Sequence, residues 1–198
     1  MNAGLSPGFA DAPREAQTVF KALMWALARP GQPQNLASTL EPPAPLTREL
    51  AAIALTMLDH ETTVWLDPPL RGASDVLDFL RFHTSARVVD APNDAHFALI
   101  CDAASLPDFS VFAQGDPSYP DRATTLVVAV QAFQGEPILL RGPGIDGTIA
   151  FGASPLPPDM AARLMRNRTV FPLGVDLLLA GPGTVLGLPR SVRVMEEA

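Results

Sequence analysis

No apolar stretch in this chain runs far before proline or glycine closes it, and that limits what it can fold into. The longest helix-like apolar run, Leu50 to Leu58, has nine residues and includes Thr56. A membrane-spanning helix needs about 20, so a membrane partner is not expected. The 21 prolines stand between the apolar segments rather than within them, and so read as punctuation. Short segments of this kind must pack against one another in layers. With 198 residues, 47% of them hydrophobic, the chain can build one ordinary core without staples. That apolar content excludes a disordered class. One domain over residues 1–198 is expected, with residues 1–10 loosely ordered.

Periodicity divides the chain. A helix is expected from Asp11 to Ala28, with Asp11 as its cap and Pro13 in its first turn. Its apolar stripe is Ala16, Val19, Phe20, Leu23, Met24 and Leu27, and Arg29-Pro30-Gly31 stops it. A second helix spans Thr47 to Leu58, and a third Ser74 to His83 with Val76, Phe79, Leu80 and His83 on one face. Between them lies a strand, Thr63 to Leu66, which Pro68-Pro69 ends.

Beyond His83 the pattern turns to β. Strands are expected at Arg87–Val89, His96–Cys101, Thr124–Val130, Pro137–Leu140 and Thr148–Phe151. A helix from Pro157 to Arg168 precedes strands at Val175–Leu179 and Val185–Leu188, the latter extending toward Val192 and Val194. Pro107 to Arg122 has no period and reads as a long surface connection. Helices alternating with short strands point to an α/β layered fold around a mixed sheet.

The net charge of −7 and pI near 4.8 argue against nucleic acid as a partner. One cysteine, Cys101, and no visible secretory signal suggest a cytoplasmic setting. Gly142-Pro143-Gly144-Ile145-Asp146-Gly147 fits the dinucleotide spacing, but a strand-like segment follows it where a helix is required, so it reads as a hairpin turn. His60, His83 and His96 have no metal-site spacing. No paired acid and base or activated nucleophile stands out, so no catalytic and no metal-ligating residue is assigned.

Thirteen of the fourteen basic residues are arginine. Arg141 and Arg190 sit at strand ends, where ligands of α/β sheets bind, and could converge on an anion. Arg81 is one helical turn from Asp78, and an ion pair is its plain reading. His83 continues an apolar stripe and reads as a core or interface histidine. Arg163, Arg166 and Arg168 crowd a helix end, where cations suit the dipole. Arg81, His83, Arg141 and Arg190 are therefore the ligand or interface candidates.

Several segments, in this order and spacing, resemble the PhnH family, whose members belong to the bacterial carbon–phosphorus lyase core complex. They are Ala26-Leu27-Ala28-Arg29-Pro30-Gly31, Thr63-Val64-Trp65-Leu66, Leu80-Arg81-Phe82-His83-Thr84, Leu140-Arg141-Gly142-Pro143-Gly144-Ile145, Phe171-Pro172-Leu173-Gly174-Val175-Asp176-Leu177 and Leu188-Pro189-Arg190. The resemblance covers Phe9 to Val194 and omits the 107–122 segment. It implies an α/β/α sandwich like that of pyridoxal-phosphate-dependent transferases, without the cofactor. It also implies a homodimer that assembles with the subunits PhnG, PhnI and PhnJ. With PhnG, PhnI and the ATP-binding-cassette-like PhnL, such a chain takes part in displacing adenine from ATP by an alkylphosphonate. The product is a ribose 1-alkylphosphonate 5-triphosphate, whose carbon–phosphorus bond PhnJ later breaks. The chain is then one member of an assembly rather than a catalyst on its own. Any contact it makes with ATP or an alkylphosphonate would be made through the complex.

Overall fold

Asp11 opens the first helix, α1 (Ala12–Ala28), by accepting the Arg14 N–H on its side chain, with Pro13 in the first turn as expected. The computed structural model describes residues 6–195. Of the N-terminal segment expected to be loosely ordered, residues 1–5 lie outside the described residues. After α1 a two-residue strand that the sequence did not signal, β1 (Gln34–Asn35), joins the sheet. Helix α2 (Arg48–Met57) starts where the Thr47 hydroxyl accepts the Leu50 N–H, and it leads into strand β2 (Thr63–Leu66).

Pro68 and Pro69 do more than end β2. They open a short helix, α3 (Pro68–Arg71), because Asp67 caps it and proline fits a first turn that needs no intrahelical donor. Helix α4 (Ser74–Thr84) follows, then strands β3 (Arg87–Val88), β4 (Phe97–Ile100), β5 (Thr125–Ala129), β6 (Ile138–Arg141) and β7 (Ile149–Phe151). Helix α5 (Met160–Thr169) begins later than the expected Pro157 and precedes β8 (Asp176–Gly181), β9 (Thr184–Leu188) and β10 (Arg193–Val194).

The strands form two sheets. The larger has the order β1-β9-β8-β5-β4-β2-β3. Its strands from β8 through β3 are parallel; at the other edge β9 pairs antiparallel with β8, and β1 antiparallel with β9. The smaller sheet is antiparallel, β10-β6-β7.

Alternation along the central strands shows how the layers are assembled. Val127 and Ala129 of β5 and Leu178 and Ala180 of β8 face a core built with α1, α2, α3 and α4. Leu126, Val128, Leu177 and Leu179 face the opposite core, closed by α5 and the smaller sheet. Both faces of these strands are covered, which is why they read as continuous apolar runs. The architecture is thus α/β with a mixed sheet. One covering layer is helical, and the other combines a helix with a small sheet.

Two details depart from the sequence pattern. On α1, Val19, Leu23 and Ala26 are buried, whereas Phe20 and Met24, expected in the same stripe, are 46% and 57% exposed. The helix meets β9 and α2 on a narrower front than its apolar residues span. The aperiodic 107–122 segment is anchored by the buried Phe109 and Phe112, with the Phe112 ring edge-on to Trp65 at 5.6 Å. Two anchors and a pair of short 3-10 turns leave no period to detect.

A cleft between the small sheet and α5

The smaller sheet carries an arrangement that the sequence did not reveal. Strands β6 and β10 pair so that Arg141 and Arg193 are direct partners in the register. Side chains opposite each other in an antiparallel pair share a face, and like charges placed so repel. Among the described residues neither arginine makes an ion pair with an acid. Both line a cleft of about 550 Å³, together with Arg168, Phe171, Ser191 and part of the 142–147 loop.

The loop is held by its glycines. Gly142 has φ 153°, and a Cβ there would lie 3.2 Å from the Ser191 carbonyl oxygen, so only glycine lets the loop press on the turn that leads into β10. The loop joins β6 and β7 as a hairpin, which confirms the turn reading of the Gly-rich motif. Asp146 is on the same loop, but it does not line the cleft and forms no ion pair with a described residue.

Arg168 closes the cleft from the end of α5. Its guanidinium stacks 4.4 Å from the Phe171 ring centre, and its buried Nε has no hydrogen-bond partner among the described residues. The two other arginines of that helix are engaged elsewhere. Arg163 pairs with Asp159 at 2.8 Å and donates to the carbonyls of Leu106 and Pro107 at 2.7 and 3.0 Å. Arg166 reaches Asp108 at 2.9 Å. These two fasten the 107–122 segment, and Arg166 also stands in the last turn of α5, as expected.

Of the four residues singled out from sequence, Arg141 alone lines this cleft. Arg190 is taken up by Asp176, which accepts from its side chain at 2.5 to 3.2 Å and from its backbone N–H at 2.8 Å. A further bond to the Pro120 carbonyl, 2.7 Å, engages the rest of the guanidinium. It ties the start of β8 to the 107–122 segment. Arg141 and Arg190 therefore do not converge. Arg81 is exposed and stands 3.9 Å from Asp78, as the helical spacing foretold. His83 is half-buried against Phe79 and Phe82, with ring centres at 4.6 and 5.0 Å. Its Nε2 is 3.0 Å from the Ser6 carbonyl. A carbonyl only accepts, so Nε2 carries the proton. His83 thereby pins the N-terminal segment against α4.

Just beyond the carboxyl ends of β2 and β4 the chain bonds to itself. The Asp67 carboxylate accepts from the N–H groups of Cys101 and Asp102 at 2.8 and 2.9 Å. Among the described residues no group of three or more His, Cys, Asp or Glu side chains could hold a metal ion, and no helix is long and apolar enough to cross a membrane. Arg168 and Arg193 are the site residues that sequence reasoning missed. An arginine on a short strand gives no signal until its partner strand is known.

Comparison with known proteins covers nearly the whole chain. The family model described as bacterial phosphonate metabolism protein (PhnH) matches residues 7–195. A curated protein of Rhizobium meliloti (strain 1021), alpha-D-ribose 1-methylphosphonate 5-triphosphate synthase subunit PhnH, is 43% identical over 193 residues, 97% of this chain and 96% of the relative. The putative C-P lyase subunit protein HtxG of Stutzerimonas stutzeri is 30% identical over 185 residues, 93% of this chain and 87% of that protein.

Proposed function

This chain belongs to the PhnH family of bacterial phosphonate metabolism, and from that membership we propose that it is a subunit of a ribose 1-alkylphosphonate 5-triphosphate synthase within a carbon–phosphorus lyase complex. The observation that carries the reading is 43% identity, end to end, to a subunit of the methylphosphonate enzyme. In this role the chain supports transfer of an alkylphosphonate to the ribose of ATP with release of adenine, assembled with PhnG, PhnI and PhnJ. It does not catalyse that reaction alone.

The same reading places the chain in the cytoplasm as a homodimer with a sheet like that of pyridoxal-phosphate-dependent transferases. The exposed Phe20, Met24 and Trp25 of α1 support a dimer or subunit contact. A stable pair would bury at least about 1,000 Å². Arg81, exposed on α4, is a second assembly candidate. Pyridoxal phosphate is not part of the reading. The chain's one lysine, Lys21, is exposed on α1 and lacks the burial that would activate its amine for a Schiff base.

Co-expression with PhnG, PhnI and PhnJ tests the assignment. The chain should elute with them in size-exclusion chromatography. Adenine release from ATP and methylphosphonate, with PhnL present, should fall when this chain is omitted. Elution of the chain apart from the others, with activity unaffected by its omission, would overturn the reading. A second reading, that the chain adds an anion pocket of its own, is favoured by the arginines around the β6–β10 cleft.

A further inference from the structure

We propose that the cleft between the 142–147 loop, β10 and the end of α5 binds the phosphoryl or phosphonyl oxyanions of a small organic ligand, with Arg141 and Arg193 as its two forks. This deepens the reading of the chain as part of an enzyme that handles ATP and a phosphonate, and rests on it for the ligand's class.

The register is the main ground. Placing Arg141 directly opposite Arg193 costs repulsion that nothing among the described side chains relieves. Arg71 pairs with Asp90, Arg163 with Asp159, Arg166 with Asp108 and Arg190 with Asp176. Other arginines, such as Arg29 and Arg122, also lack an acidic partner but stack singly on aromatic rings. What sets the cleft apart is that Arg141, Arg168 and Arg193 line it together. A guanidinium is a planar fork that fits phosphate and phosphonate oxygens bidentately, and two on one face match a group with several charged oxygens. Arg168, stacked on Phe171, adds a third positive charge. Pro143, Ile145 and Met195 supply an apolar wall for the organic part of the ligand. The volume of about 550 Å³ lies in the usual range for small-molecule sites.

Calorimetric titration of the full chain at low ionic strength tests this with three probes: inorganic tripolyphosphate, ATP and methylphosphonate. At least one should bind, with affinity that falls as salt is raised. Tripolyphosphate and ATP binding alike identifies a polyphosphate end as the ligand, and methylphosphonate binding alone identifies the phosphonate. Arg141→Gln and Arg193→Gln should each weaken binding about tenfold, the effect of losing one charge-assisted fork. Both residues are exposed, so the fold should survive, and unchanged circular dichroism will check it. Arg122→Gln, whose side chain stacks on Tyr119 outside the cleft, should bind as the wild type does.

Failure of all three probes at millimolar concentration overturns the proposal, as does equal binding by the two cleft variants and the wild type. Glu196 and Glu197 lie outside the described residues, and a Glu196→Gln/Glu197→Gln variant tests them. Binding seen only in that variant would assign the arginines to the chain's own carboxylates and overturn the proposal. Loss of assembly in Arg141→Gln, without any anion binding by the wild type, would assign them to an acidic partner surface and do the same. A wild-type chain that binds the probes yet fails to assemble with PhnG, PhnI and PhnJ would leave the anion site standing and remove the complex.

Discussion

The carboxylate of Asp67 and the backbone of Cys101 lock two neighbouring parallel strands together just past their ends. Asp67 follows β2, Cys101 follows β4, and the Cys101 N–H donates to Asp67 Oδ2 at 2.8 Å. The Asp102 N–H donates to the same oxygen, and the Leu70 N–H at the start of α3 reaches Oδ1 at 3.3 Å. Asp67 is only 3% exposed. Asp67→Ala strands these donors where little water can reach them. It should cost about 2–4 kcal/mol in urea unfolding, since each unsatisfied buried group costs roughly 1–3 kcal/mol. A loss below about 1 kcal/mol would show that the latch contributes little.

The same contact makes Cys101 inert. Burial pushes its thiol up to about 12, with the Asp67 carboxylate adding to the effect. At pH 8 the native protein should react slowly with a disulfide reagent, and the urea-unfolded chain quickly. The pH dependence of stability has a definite sign. Below about pH 9 both folded and unfolded chains keep the proton. Between about 9 and 12 only the folded chain does, so stability falls as pH rises through that window. Cys101→Ala should unfold with a shallower alkaline decline. An identical decline in both proteins counts against this.

Asp108 responds at the acid end. The Ser110 hydroxyl and then the Ser110 N–H, at 2.6 and 3.0 Å, followed by Arg166, hold its carboxyl down at about 2. Its share of stability is present above the unfolded value near 3.9 and is lost as pH falls from about 4 toward 2. NMR titration should place the Asp108 carboxyl well below that of a free aspartate, and Ser110→Ala should raise it. A wild-type midpoint near 3.9 would refute the assignment.

Gly187 lets α1 lie directly on β9. A Cβ there would come within 2.5 Å of the Ala26 carbonyl and 2.8 Å of the Leu27 nitrogen, both backbone atoms that cannot swing aside. Gly187→Ala should therefore cost about 1–3 kcal/mol, the usual penalty for overpacking. A melting temperature equal to the wild type's would mean that the helix can shift freely.

His83 and Arg81 should separate in the same assay. His83→Ala removes the bond to Ser6 and the packing on Phe79, and should cost about 1–3 kcal/mol. Arg81→Ala should leave stability unchanged while weakening assembly. Equal melting for wild type and His83→Ala, or normal complex formation by Arg81→Ala, would refute the corresponding half.

Local patterns were legible in the sequence where they carried their own partner. The cap Asp11 lies next to the helix it starts, and β2 appeared where the apolar run placed it. The split into two sheets was not legible. Strands of three or four residues such as β6 and β7 announce that they are strands but not what they pair with. For the same reason Arg141 was visible as a strand-end cation while Arg193, its partner across the ladder, was not. Arg190 looked equally available, and only the folded chain brings Asp176 to it.

The seating of α1 on β9 also orders events during synthesis. The helix is made long before the strand it covers, and β1 waits for that same strand. Until β8 and β9 arrive, Val19, Leu23 and Ala26 have no sheet to cover. A nascent chain therefore carries an apolar helix covered only in part, by α2, until β9 is made. Such long-range closure slows folding and leaves sticky surface open to aggregation. Truncation anywhere before β9 should accordingly yield insoluble or chaperone-bound product, rather than a smaller folded unit.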